Sequence, residues 1–273
     1  MLPHTRALLF TSTTLLWLFL SSTASAHHVV SDTGIAWVEP ISVGQLELST
    51  SRFDLGSSYQ QGRWWSVATS VELALHKRFS LMVRAPVVRV NFDDGRAAMG
   101  LGDMDVSAKF MVFADKHGKF ILSAGAAVEL PTGSAEDALG AGHVELSPFV
   151  AASSNPLKFI VINALFSERI SLEGDEELQA SHQGSPLSVH APHELMSRLT
   201  VSYVPVAKRY YTSAGVDYIL TWSSDYQNLA TGRLEAGLYK ERSWRVALRL
   251  EQPLGGDRYR SDTTLSSNLA LWF

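Results

Sequence analysis

The stretch WSVATSVELALHKRFSLMVRAPV, Trp65 to Val87, decides the fold. In an extended chain its first part places Trp65, Val67, Val71, Leu73 and Leu75 on one face and Ser66, Ser70, Glu72 and His76 on the other. After the short polar break HKR the alternation resumes. Phe79, Leu81, Val83, Ala85 and Val87 fall together, with Ser80 and Arg84 opposite. WRVALRLE, from Trp244, repeats the pattern, setting Trp244, Val246, Leu248 and Leu250 against Arg245, Arg249 and Glu251. Period-2 alternation marks strands whose two faces meet different surroundings. A soluble sandwich alternates as well, so alternation alone leaves two architectures open.

The lengths of the connections separate them. Strands read at about 43–52, 64–75, 79–90, 103–113, 119–130, 143–152, 159–168, 194–204, 209–222, 231–239, 244–252 and 263–273. Every second connection is short: HKR, ADKHG, SSNPLK, PVAKR and KERS. The others are longer, polar and rich in Gly or Asp, the largest running from Ile170 to His193. Short turns at one end and long loops at the other, with an even strand number, mark transmembrane barrels of the outer membrane. A strand tilted by about 45° crosses with ~9–11 residues, which these segments supply. The sequence thus predicts an all-β fold, an antiparallel transmembrane β-barrel of about twelve strands.

Residues 1–26 read as a cleaved signal peptide. Arg6 precedes the uncharged apolar run Ala7–Leu20, and Ala24-Ser25-Ala26 forms a small-x-small cleavage site. The run is short for a helix crossing a ~30 Å hydrocarbon core, and later apolar runs such as Phe159–Phe166 are shorter still. The expected organisation is a signal peptide over 1–26, an N-terminal periplasmic segment over 27–42 and the barrel over 43–273. There is no cysteine, which excludes disulfides and thiolate metal sites. The net charge of −4 gives no sign of nucleic-acid binding, and the leader carries a base and no acid, so the mature chain is slightly more acidic. The expected location is the outer membrane of a Gram-negative bacterium, the expected partners its lipid and the barrel-assembly machinery.

Aromatic residues fall where a membrane interface requires them. Phe79, Phe120, Tyr203, Trp244 and Phe273 lie beside the short turns, and Trp65, Phe166 and Trp222 beside the long loops. The chain closes on TLSSNLALWF, with Leu265, Leu269, Leu271 and Phe273 on one face. Leu269, Leu271 and the terminal Phe273 resemble the assembly signal of bacterial outer-membrane proteins.

With the apolar face toward lipid, the lumen receives Glu72, Arg84, Asp105, Lys109, Glu129, Glu145, Arg198, Asp217, Arg233, Glu235, Arg245, Arg249 and Glu251. An Arg on the lipid face costs ~2–4 kcal/mol at mid-membrane, which fixes the register. Both signs are present, so these groups can pair across strands. Of these, Glu72, Arg84, Asp105, Lys109, Glu129, Glu145, Arg198, Arg233, Arg245 and Arg249 are the candidate substrate-facing residues. Twelve strands lie between side-chain-filled barrels and sixteen-stranded porins, which argues against a wide open pore.

Two stretches resemble a known family. GLGDMDVSAKF (Gly100–Phe110) and ELPTGSAEDALGAGHVELSPF (Glu129–Phe149) are similar to the Gly-x-Gly-Asp and Pro-Thr-Gly, Leu-Gly-x-Gly patterns of the phenol-degradation MetA-pathway family of outer-membrane transporters. The resemblance implies passage of small hydrophobic or aromatic compounds. Gly100, Gly102, Gly133, Gly140 and Gly142 suit strand-to-loop bends, and Asp103 suits a cap on backbone amides.

Histidine carries the metal-binding candidates. His27 and His28, at the expected mature N-terminus, offer an amine–imidazole chelate, and His182, His190 and His193 share the longest loop with Glu173, Asp175, Glu176, Glu177 and Glu194. No cofactor is implied. Lipid hydrolysis is the enzymatic alternative, which needs a Ser–His pair at the lipid face. Here His143 is predicted to face inward, and there is no GxSxG element. A purely structural barrel is the third class.

Two tests follow from the termini. Mass spectrometry of membrane-extracted protein should find His27 as the first residue, and intact Met1 would remove both the leader and the chelate. Phe273→Ala should lower the folded barrel recovered from cells while refolding into detergent stays normal, since the ring's burial is worth only ~1.5–3 kcal/mol. Wild-type recovery from cells would refute the assembly role.

Overall fold

The hydrocarbon of a bilayer offers no water to a peptide group, so a sheet that crosses it must pair every strand on both sides. The computed structural model describes residues 36, 42–54, 61–172, 193–205, 209–221, 228–240, 243–255 and 260–273, and it meets this condition by closure. The strands are β1 (Val43–Asp54), β2 (Gln61–His76), β3 (Phe79–Phe92), β4 (Ala97–Leu101), β5 (Met104–Ala114), β6 (Phe120–Leu130) and β7 (Glu145–Leu157). They continue as β8 (Ile160–Ser171), β9 (His193–Tyr203), β10 (Tyr210–Thr221), β11 (Leu229–Lys240), β12 (Trp244–Gly255) and β13 (Arg260–Trp272). Apart from β4 and β5, sequential neighbours pair antiparallel, and β1 pairs β13 from Val43↔Trp272 to Asp54↔Arg260. With β3 bonded to both β2 and β5, the ring closes through twelve strands. The short β4 pairs β3 above that ring.

The twelve-stranded barrel is the one the connections predict, with two local differences. The segment Ala97–Leu101, read as loop, is a strand. Gly95, at a φ of 93° that favours glycine, turns the chain back, and Asn91↔Ala97 to Val87↔Leu101 then extend the wall outward. The second difference concerns SSNPLK, read as a turn. Most of it belongs to β7, which continues to Leu157 through a register shift at Asn155 and Pro156. A bulge accommodates the proline, which has no N–H for the ladder.

The two faces of the wall separate as the alternation requires. Leu48, Leu75, Phe110, Phe166, Leu199, Leu234 and Leu248 are exposed on the outside, while Ser66, Ser80, Ser123, Ser202 and Ser266 are buried within. So continuous an apolar band needs a lipid cover. No described helix is long and apolar enough to cross a membrane, so the strands do the crossing. Phe120, Tyr203 and Phe273 are exposed at the short-turn end, where Phe159 stacks edge-on against Tyr203 with 5.8 Å between ring centres. Phe166 lies toward the other end, and Trp222 is outside the described residues.

Each end is tied by a carboxylate. In the short β5–β6 turn Asp115 accepts the amides of Phe120 at 2.9 Å and His117 at 3.3 Å. The Phe120 amide above all holds this carboxyl below the ordinary carboxylate range. At the long-loop end the β6–β7 connection folds into the mouth. Asp103 accepts the amide of Gly133 at 2.9 Å and that of Ala141, while Thr132 donates its hydroxyl to the Gly102 carbonyl at 2.7 Å. Leu139 is thereby seated on Val88 and Val90, beside Trp64, Phe92 and Ala98. The two family-like stretches therefore close on each other. A Cβ at Gly140 would overlap the Asp103 carboxylate, so the tie needs glycine there.

Asp103→Ala should destabilise the barrel by about 3 kcal/mol, from two charge-assisted bonds at ~1.5 kcal/mol each. It should also expose 131–144 to protease, and Asp103→Asn should recover part of both effects. Urea unfolding from vesicles and timed proteolysis measure them, and a variant matching wild type in both would refute the tie.

Candidate functional site

Inside the barrel the strand pleat brings one side chain in two toward the axis, and each charge assigned to the lumen is found there. They form a belt of ion pairs. Arg198 on β9 holds Asp217 on β10 through two bonds of 2.9 and 3.0 Å. Arg233 on β11 bridges Asp217 and Glu251, each at 2.8 Å. Arg249 on β12 lies 2.9 Å from Glu235 and 3.9 Å from Glu47 on β1. Tyr211 donates its hydroxyl to the other oxygen of Glu235 at 2.6 Å. Across the lumen Arg84 pairs with Asp105 at 3.1 Å and Lys109 with Glu72 at 3.0 Å. Arg245 donates to the Asn268 amide oxygen at 3.1 Å.

The belt continues on β7 to β9. Arg169 lies 3.3 Å from Glu145 and 3.0 Å from Glu194, and His143 Nε2 is 3.1 Å from Glu145. Glu194, grouped by sequence with the long loop, instead turns inward and is buried. Cross-strand register also sets Glu129 between Asp105 and Glu145. The outer two carboxylates of this row have arginine partners, Arg84 and Arg169, whereas Glu129 has no ionic partner among the described residues.

These walls enclose a cavity of about 400 Å³. Of the predicted lumen residues Glu72, Asp105, Lys109, Arg198, Arg245 and Arg249 line it, while Arg84, Glu129, Glu145 and Arg233 lie in the wall beyond. The lining also includes residues the alternation did not single out. Glu47, Arg169 and Glu194 add charge, and Met82, Ala127, Phe149, Leu165 and Met196 form an apolar surface. In-phase counting from Asn163 through Leu165 and Ser167 would have reached Arg169, and from Glu145 it would have reached Phe149. Reading polar residues inward and apolar ones outward concealed the apolar lining.

Below this surface lies Ala36. It is buried against Ile121, Ala151 and Leu165, and its carbonyl accepts the Ser123 hydroxyl. The expectation that 27–42 lies in the periplasm therefore does not hold at Ala36, which is inside the lumen.

Of the metal candidates, His27, His28, His182 and His190 lie outside the described residues. His193 opens β9 on the outward face, opposite Ile170. Among the described residues no group of three or more His, Asp or Glu side chains is placed to hold a metal ion. His143 is fully buried within the barrel, its Nδ1 3.1 Å from the Ala141 carbonyl. Lipid hydrolysis would need it at the outer surface.

No protein-family model matches the chain, and neither does any curated protein. Solved structures do. An outer-membrane channel of Pseudomonas putida F1, described as COG4313, is similar over 93% of this chain and 100% of its own, with a TM-score of 0.69 and 15% identity. The NanC porin is similar over 83% of this chain and 98% of its own, with a TM-score of 0.56 and 8% identity. The KdgM porin is similar over 84% and 99%, with a TM-score of 0.51 and 10% identity. The chain thus has the closed twelve-stranded fold of outer-membrane channels.

Proposed function

We propose that this protein is an outer-membrane channel for small hydrophobic or aromatic compounds. The observation that carries the reading is the composition of the lumen. The cavity is of the size that takes a small organic molecule, in the range of a few hundred Å³. Phe149, Leu165 and Met196 give it an apolar side, and the charges opposite are paired, which lowers their pull on water and ions. A ring system can lie against Phe149 and the two aliphatic side chains while a hydroxyl or carboxyl group reaches the belt. The resemblance of Gly100–Phe110 and Glu129–Phe149 to the phenol-degradation MetA-pathway family supports the same substrate class. Similarity in fold to outer-membrane channels supports transport and the outer membrane as its site.

Vesicles carrying the purified barrel should admit a phenol-sized aromatic faster than a sugar of similar mass. Leu165→Asp should slow aromatic uptake about tenfold, the effect of ~1.4 kcal/mol, while ion conductance persists. Lumen substitutions tune selectivity, and the variant's heat-modifiable mobility separates this effect from damage to the cluster around Ala36. Equal uptake of both solutes, or an aromatic rate unchanged by Leu165→Asp, would overturn the reading.

A further inference from the structure

Three arginines do not follow the inward rule. Arg52 on β1, Arg63 on β2 and Arg89 on β3 are exposed on the outer face of the wall, their inward neighbours Ser51, Gly62 and Val88 being buried. All three lie at the long-loop end. Register makes them one patch: Arg52 is directly opposite Arg63, and Asn91 opposite Arg63 puts Arg89 at the diagonal position. Directly opposed side chains stand ~4.5–5.5 Å apart at Cβ and diagonal ones ~7–8 Å, and opposed like charges repel.

Among the described side chains little relieves that repulsion. Arg52 lies 3.3 Å from Asp93, in a pair half exposed on both sides. Arg89 donates its Nε to the Asn91 side chain at 3.1 Å, which brings no charge. Arg63 has no ionic partner among the described residues. Arg96, in the following turn, is taken up by Asp94 at 2.8 Å. Trp65 stands opposite Arg89 in the same row and marks the membrane interface, and the row beneath, Leu48, Val67 and Val87, is apolar. Elsewhere at this end, among the described side chains, the outward strand faces carry one charge, Glu168 on β8, on the far side of the barrel.

We infer that Arg52, Arg63 and Arg89 form a binding site for the phosphate-bearing headgroup of an outer-leaflet lipid. Guanidinium groups bind phosphate oxygens through paired N–H donors, and a phosphate between opposed arginines turns their repulsion into attraction. The height of the patch selects a lipid over a soluble anion. Arg52 and Arg63 occupy the row above Trp65 and Arg89 is level with it, at the height of headgroups whose chains cover Val67, Leu48 and Val87. Inside the lumen every comparable arginine is held by a carboxylate or amide. This inference rests on the outer-membrane channel reading, in which the longer loops face outward and the short turns the periplasm.

The test uses the full barrel in zwitterionic micelles, titrated with bisphosphorylated lipid A and followed by native mass spectrometry. The variant Arg52→Gln/Arg63→Gln/Arg89→Gln should bind lipid A on the order of a hundredfold more weakly, from three basic residues acting at a membrane surface. Arg209→Gln, an exposed position at the short-turn end, should bind as wild type. Because all three side chains are exposed, the triple variant should keep the heat-modifiable mobility of a folded barrel. Lipid A lacking phosphate should bind wild type and triple variant alike. Undiminished binding by a folded triple variant would overturn the site while leaving the channel reading intact. Competition by millimolar inorganic phosphate would overturn the lipid as its occupant. A barrel that entered no lipid vesicle would overturn both readings together.

Discussion

The structure depends on the cost of an unpaired peptide group in hydrocarbon. Each such group costs several kcal/mol, so neither edge of a sheet can be left open to lipid. The bond between β1 and β13 removes both edges at once, from Val43↔Trp272 upward. Closure then fixes the rest. With a ring of paired strands, each residue faces either lipid or lumen, and a slip of one position would exchange the two sets. Close approaches inside the ring follow as well. Gly125 lies under the Phe149 ring and against the Ala108 carbonyl, where any side chain would collide.

The belt of charges is a consequence of that closure. Ionisable side chains on spanning strands avoid lipid by turning inward, and inside they meet each other at strand spacing. Arg233, buried between Asp217 and Glu251, shows the outcome: removing either carboxylate would leave a cation short of partners in a dry wall. Breaking a buried pair costs ~3–5 kcal/mol, more than the pair contributes relative to apolar residues. Such pairs hold the wall in one arrangement, and the cavity takes its shape from them. The row Asp105, Glu129 and Glu145 departs from this balance, with carboxylates outnumbering the arginines beside them.

The barrel was legible because its signal is repeated in every hairpin. Alternation and connection length report the same face pattern twelve times, so local errors average out. What was missed lies where a single residue breaks the rule. Ala97–Leu101 lacks a polar partner face, and its strand exists only through the Gly95 turn and β3. Pro156 reads as a turn, although a bulge carries the strand past it. The charged lumen set was read from alternation, but Phe149, Leu165 and Met196 were not, since apolar residues on the inner face look like noise in a polar phase. Glu194 opens a strand in the sequence and reads with the loop it adjoins; its partner Arg169 becomes its neighbour only when β8 pairs β9. The glycines and Asp103 were recognised as bends, but their meeting required the β6–β7 connection to return to the mouth.

Arginine has two uses in this wall, and the difference follows from the medium on each side. In the lumen a bare guanidinium would hold water and repel cations along the path. There Arg198, Arg233 and Arg249 are each bound by carboxylates, so the passage keeps its polar groups without a strong field of one sign. On the outside, at mid-membrane height, arginine is excluded, and the rows of Val67, Val71 and Leu73 are apolar. Above Trp65 the medium changes to headgroups and anions, and there Arg63 stands exposed with no carboxylate partner among the described side chains. An exposed cation on an outward face is stable where its partner comes from the membrane. The arginines that face the solute path are therefore neutralised by the protein, and the arginine charge that faces the bilayer is left for lipid to neutralise.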